Sequence, residues 1–176
     1  MALDQELVGR SYPPSAVYEV GRGKIAEFAT AIGAADPVHR DADAARAAGY
    51  PDVIAPPTFA IVLTLEAANV VLDDPQVSLD YSRVVHGEQR FTHHRPIRAG
   101  DRLVATTTIE AVRSVAGNDM LTTRVDVATE DGEAVCSGSS VPTSTSAALM
   151  TPPARPAWTS PWRPVRRPRW PGRPGW

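Results

Sequence analysis

Cysteine is almost absent: the 176 residues contain one, Cys136. No intrachain disulfide can form, and a reducing, cytoplasmic compartment is the expectation. The first residues, Met1-Ala2-Leu3-Asp4-Gln5-Glu6, are acidic and lack the basic start and apolar run of a secretory signal. Long apolar runs are missing too. The richest, 59–72, is broken by Thr64, Glu66 and Asn69, which makes it too short and too polar to span a membrane. No Gly-rich phosphate loop, zinc-ligand spacing or Ser or Cys nucleophile motif occurs, so neither a cofactor nor a metal is expected. Basic residues are scarce outside the end of the chain. Six Arg, eight Pro and all four Trp fall in 151–176 without one acid, leaving 12 basic and 20 acidic residues in 1–150. An acidic body argues against nucleic acid as a partner.

What is present reads as one folded body, 1–145, and a tail, 146–176. The tail is Pro/Arg/Trp-rich without apolar periodicity and reads as disordered. A basic, aromatic tail suits an acidic surface or a membrane, and its monotony equally matches GC-rich DNA read out of frame. In the body, Tyr18-Glu19-Val20 is a short strand. Ile25, Phe28, Ala29 and Ile32 then mark one helical face that stops at Gly33. A short Ala-rich helix over 41–48 follows, with Asp41 or Asp43 at its start and Gly49 after its end. After Pro56-Pro57, Thr58 can cap a helix over 58–72 that is apolar nearly all round and so reads as buried on most sides.

The rest reads as strands. Residues 83–86 are a strand or extended lead-in, and 89–95 form a strand closed by Pro96. Residues 98–101 turn the chain, and 103–115 alternate with Leu103, Ala105, Thr107, Ile109 and Ala111 on one face. Gly117-Asn118-Asp119 turns into a strand over 121–129. Asp131-Gly132 is a two-residue hairpin signal leading into 133–140, and the residues from Gly138 to Ser144 are a poor strand sequence. One apolar helix followed by a meander of long strands requires a sheet that wraps the helix. The fold class is therefore α+β, a single hot-dog fold, with an α+β sandwich as the competitor.

Several segments resemble a known family. Gly33-Ala34-Ala35-Asp36-Pro37-Val38-His39 resembles the hydratase motif Gly-Asp-x-Asn-Pro-x-His of MaoC-like (R)-specific hydroxyacyl dehydratases. Pro96-Ile97-Arg98-Ala99-Gly100-Asp101-Arg102-Leu103 resembles the same family's Pro-(Val/Ile)-x-Ala-Gly-Asp-x-Leu turn. Asp52-Val53-Ile54-Ala55-Pro56-Pro57-Thr58-Phe59 and the stretch from Tyr81 to Gln89 are similar to HadA-type subunits, which carry the N-terminal MaoC-like dehydratase domain. The resemblance covers about 1–140. It implies reversible loss of water from a (3R)-hydroxyacyl thioester of acyl-carrier protein or CoA, in fatty-acid biosynthesis. In the family an Asp and a His five residues apart do the acid–base work, and a His-Gly backbone N–H at the start of the central helix holds the thioester oxygen.

The carry-over is partial. His39 matches the motif histidine, but Ala34 stands at the aspartate and Asp36 at the Asn position. Pro57 falls on the N–H donor, and proline has none to give. Losing one oxyanion donor costs ~10²–10³ in kcat, and losing half of an acid–base pair ~10²–10⁴. His39 is read either as catalytic or as a half-buried loop histidine bonded to Asp36 or Asp41. Asp36 is read either as a surrogate acid or as a cap before Pro37. Pro57, Thr58, Phe59 and His86 are expected to contact substrate, with a strand-end role as the other reading of His86. His93 and His94, adjacent on a strand, point to opposite faces, cannot hold one metal together, and are read as ordinary surface or sheet residues. Cys136 is read as a small buried apolar residue.

The resemblance then implies a subunit that holds the acyl chain beside a MaoC-like hot-dog partner carrying an intact Asp/His motif, the two paired edge to edge. The alternatives are a self-sufficient homodimeric hydratase using His39, or a non-catalytic acyl-thioester-binding protein. A thioesterase is less well supported, because Glu66 is the only acid on the central helix.

Overall fold

The computed structural model describes residues 4–77, 84–115 and 118–144. The expectations for Tyr81-Ser82-Arg83, for Gly117 and for the tail fall outside this set. Helix α1, Arg22–Ala31, buries Ile25 and Ala29. It ends where Gly33, at φ +70°, lets Ala34 N–H reach back to Ala29 O and Gly33 N–H to Thr30 O. Helix α2, Ala42–Ala47, starts on Asp41, whose carboxylate accepts from the N–H groups of Asp43 and Ala44.

The expected central helix arrives in three pieces. A 3-10 turn over Pro57–Ala60 runs into α3, Ile61–Ala68, and a second 3-10 turn covers Asn69–Val71. Thr58 is not the cap. The start lies at Pro56, and Pro57 occupies the first helical position, where its fixed φ fits and its missing N–H costs nothing. Nor is the helix covered all round: Leu65 and Leu72 stay 47% and 38% exposed, next to exposed Glu66 and Asn69.

Among the described residues, five antiparallel strands form one sheet in the order β1-β3-β4-β5-β2. These are β1 Tyr18–Glu19, β2 Val84–His93, β3 Arg102–Val115, β4 Asn118–Thr129 and β5 Ala134–Ser144. The α+β expectation of a sheet packed on a helix is met. Phe59, Ala60 and Leu63 from the helical segment share a core with Leu103, Ala105, Val125, Val127, Val135 and Cys136 from the sheet. Phe59 meets Phe28 edge to face at 5.3 Å. Thr107 fastens the helix to β3 by donating to Ala67 O at 2.8 Å.

Three strand expectations are corrected. A bulge between Ile109 and Ala111 shifts the inward face by one, so Val112 rather than Ala111 is buried. Four residues, 130–133, connect β4 to β5, not two: Gly132 N–H donates to Thr129 O and Gly132 sits at φ +92°, a turn followed by a left-handed residue. The poor strand sequence from Gly138 to Ser144 pairs with both β4 and β2. Backbone hydrogen bonds to two neighbours override weak side-chain propensity there. β2 is continuous from Val84, with a bulge between His86 and Glu88, and forms a ten-residue edge that is exposed at eight positions.

Candidate functional site

Asp36 opens a 3-10 turn, Pro37–His39, between α1 and α2. Its Oδ1 accepts from Val38 N–H at 3.0 Å, so Asp36 caps this turn. His39 is 8% exposed, and its Nδ1 lies 2.7 Å from Ile54 O. A carbonyl only accepts, so Nδ1 donates, and in the neutral ring Nε2 carries the lone pair. Neither expected carboxylate holds the ring: Asp36 and Asp41 each turn Oδ1 to turn or helix N–H groups. The return bond, Ile54 N–H to Val38 O, makes the histidine turn and the loop before α3 one unit.

Ala34 stands one residue past the left-handed Gly33, with its carbonyl held by Arg40 at 2.6 Å. Arg40 also reaches Thr30, so the neighbourhood of the missing aspartate is filled by a cation bound to backbone. Thr58 sits second in its 3-10 turn, too early for a preceding helical carbonyl to accept its N–H. No backbone acceptor takes that N–H among the described residues.

An open cleft of about 600 Å³ brings together Asp36, His39, Tyr50, Pro57, His93 and His94. The adjacent histidines, expected as ordinary surface or sheet residues, are both exposed, and both line this cleft. β2 ends at His93 and the chain bends at His94, so strand alternation does not apply across the pair. The signal that could have located them is Pro96, which stops a strand shortly before itself. Among the described residues, no three His, Cys, Asp or Glu side chains are grouped to hold a metal.

The other expected site residues lie elsewhere. Phe59 is fully buried in the core. Thr58 is exposed and borders none of the cavities described here. His86 lines a separate, narrow cavity of about 50 Å³ under α3, with Thr64, Leu72, Gln89, Thr123 and Ser140. There its Nδ1 is 3.3 Å from Ser140 Oγ. The two cavities share no lining residue. A third groove, about 430 Å³, runs between Pro13–Tyr18 and the helical segment at Leu63, Glu66 and Val70.

The Pro-Ile-x-Ala-Gly-Asp-x-Leu turn is structural. Asp101, 6% exposed, accepts from Arg98 N–H at 2.9 Å and from the Arg95 guanidinium at 2.8 Å. Burial works to lower the pKa of Arg95, but hydrogen bonds to Asp101 and Glu133 outweigh it and hold the guanidinium above its ordinary range. Burial raises the Cys136 thiol to about 11, as suits an inert core cysteine.

Residues 6–137 match the family described as "FAS1-like, dehydratase domain region". A UPF0336 protein of Streptomyces coelicolor is 64% identical over 135 residues, covering 77% of this chain and 90% of that protein. Among solved structures, the C-terminally truncated HadBC (3R-hydroxyacyl-ACP dehydratase) complex from Mycobacterium tuberculosis superposes with a TM-score of 0.70. It is 30% identical, over 78% of this chain and 96% of that one. A protein described as a MaoC-like dehydratase gives 0.72 at 34% identity, over 81% of this chain and 43% of that longer one.

Proposed function

Because the chain belongs to the FAS1-like dehydratase family, whose MaoC-like members share this hot-dog fold, we propose that it is a (3R)-hydroxyacyl-thioester dehydratase subunit. It binds the carbon chain of an acyl-carrier-protein or CoA thioester during fatty-acid elongation, and a MaoC-like hot-dog partner supplies the acid–base groups. One observation carries this reading: among the described residues, His39 has no carboxylate hydrogen-bonded to its ring. The dehydration needs a base for the α-proton, an acid for the departing hydroxyl, and donors at the thioester oxygen. Here Ala34 offers no side-chain acid, Asp36 is engaged as a cap, and Pro57 has no N–H.

The partner's place is supported by β2. A ten-residue edge strand leaves a row of backbone groups unpaired, the arrangement that joins sheets edge to edge. Val85 on that strand and Leu65 and Leu72 on the helical segment are exposed apolar side chains that a partner would cover. The cavity under α3 borders both β2 and this open helix face, so a chain bound there lies at the subunit boundary. Coexpression with a MaoC-like subunit carrying an intact Asp/His motif tests the proposal. A 1:1 complex that hydrates crotonyl-CoA is the expected outcome. Failure of the two chains ever to copurify refutes it.

A second reading, a homodimeric hydratase, is favoured by the His39 tautomer, which leaves Nε2 as a free base in a wide cleft. Hydration by the purified chain alone, abolished in His39→Ala, would establish it.

A further inference from the structure

Acyl binding accounts for the cavity under α3 but not for its polarity. Thr64 is 3% exposed, and its Oγ1 is cut off from solvent without a hydrogen-bond partner. A buried hydroxyl left unpaired is costly, and proteins seldom keep one without a use for it. Valine fits the same outline without that cost. Polar side chains stand beside Thr64 in an otherwise apolar lining: Gln89, Thr123 and Ser140 join Leu65, Leu121 and Val125.

The shape of the cavity fixes which atoms of a ligand arrive there. Its volume of about 50 Å³ is a third of the ~150 Å³ cavity that accepts a benzene ring. It is closed on one side by β5, where a Cβ on Gly138 would come within 3.2 Å of the Thr64 methyl and 3.1 Å of Phe91. A carbon chain arriving from the open helix face at Leu65 and Leu72 therefore ends after two or three heavy atoms, roughly, against Thr64. Threonine in a helix divides between two χ1 wells, so the hydroxyl can turn from the wall to the ligand while the methyl takes its place.

Resting on the acyl-binding reading above, we infer that Thr64 is a specificity-determining residue selecting acyl thioesters with an oxygen at the chain terminus, an ω-hydroxyl or ω-carbonyl, over the plain alkyl chain. The terminal oxygen pairs with Thr64 Oγ1, and the neighbouring amide and hydroxyls accommodate the second lone pair or proton. A plain methyl end leaves the buried Thr64 hydroxyl unpaired.

Calorimetric titration of the full chain with two ladders of acyl-CoA, one straight-chain and one ω-hydroxylated, tests this. At the best-fitting length the hydroxylated ligand should bind roughly 2- to 12-fold more tightly, the worth of one net hydrogen bond. Thr64→Val should erase or invert that preference, and Thr64→Ser, which keeps the hydroxyl, should retain it. A preference that survives in Thr64→Val overturns the assignment. Binding of both ladders without preference at any length overturns this inference alone. Binding of neither ladder overturns the acyl-binding reading along with it.

Discussion

Replacing Thr64 by Val should make the ligand-free protein more stable. The side chain is almost wholly buried and its hydroxyl has no partner, so the native state carries an unpaid desolvation cost of about 1–3 kcal/mol. Valine keeps the methyl that faces Gly138 and puts a second one where the oxygen was. The melting temperature should rise by roughly 3 °C for each kcal/mol in a chain of this size. Thr64→Ser is the control. It keeps the unpaired hydroxyl and deletes the methyl, so it should lose about 1 kcal/mol through lost burial and the space left behind. Urea unfolding followed by far-UV circular dichroism measures both variants on the same scale. If Thr64→Val is less stable than the wild type by 1 kcal/mol or more, the hydroxyl has a partner in solution and the reasoning is wrong. A stabilising change that also erases a ligand preference is the pattern of a residue kept for function at the expense of stability.

Two further predictions concern the frame around the site. Asp101→Ala leaves Arg95 in a half-closed position with Glu133 as its remaining acid. The loss should be about 3 kcal/mol, the lower end for a broken buried pair, and urea unfolding should register it; a loss under 1 kcal/mol would show the pair to be solvent-screened. Asp74 is held below the usual carboxylate range by the backbone N–H of Gln76 first, then by Arg10 and Tyr12. Its folded pKa lies under its unfolded one, so its contribution is complete above the unfolded value, near ~4, and disappears as pH falls through the folded value. Asp74→Asn should flatten the acid limb of a stability-versus-pH curve and leave its neutral slope unchanged. An unchanged acid limb would contradict the assignment.

Much of this protein is legible in its sequence because period and punctuation agree. Ile25, Phe28 and Ala29 mark a helical face, Gly33 and Gly49 sit at positive φ just past two helices, and Asp41 caps the second helix as its position suggests. The departures have local causes. Nothing in residues 103–115 announces the bulge that brings Val112 inward, because a bulge answers to the twist of neighbouring strands. β5 looks unlike a strand between Gly138 and Ser144, but its place between β4 and β2 supplies hydrogen bonds on both sides. The site was half readable. The hydratase-like segment located His39, but the partner of its ring is a main-chain carbonyl fifteen residues away, and a backbone oxygen leaves no trace in residue identity. His93 and His94 reach the cleft only because the strand ends between them, and Thr64 stands out only through the partner it lacks.

That carbonyl bond separates the two readings of His39. Removing the ring in His39→Ala leaves Ile54 O, on a residue 9% exposed, without its acceptor role filled. The loop that leads into α3 should loosen, and the chain should lose about 1–3 kcal/mol of stability. If a partner supplies the acid–base groups, the loss stops there. The variant complex, assayed well below its melting temperature, should keep kcat within a few-fold of the wild type. If Nε2 is the base, kcat falls by ~10²–10⁴ while the fold survives, because removing a positioned general base costs that much whatever happens to stability. A stability loss with activity retained marks His39 as the tie between two loops. A collapse of kcat in a variant that still binds its partner and its acyl ligand would return the chemistry to this chain.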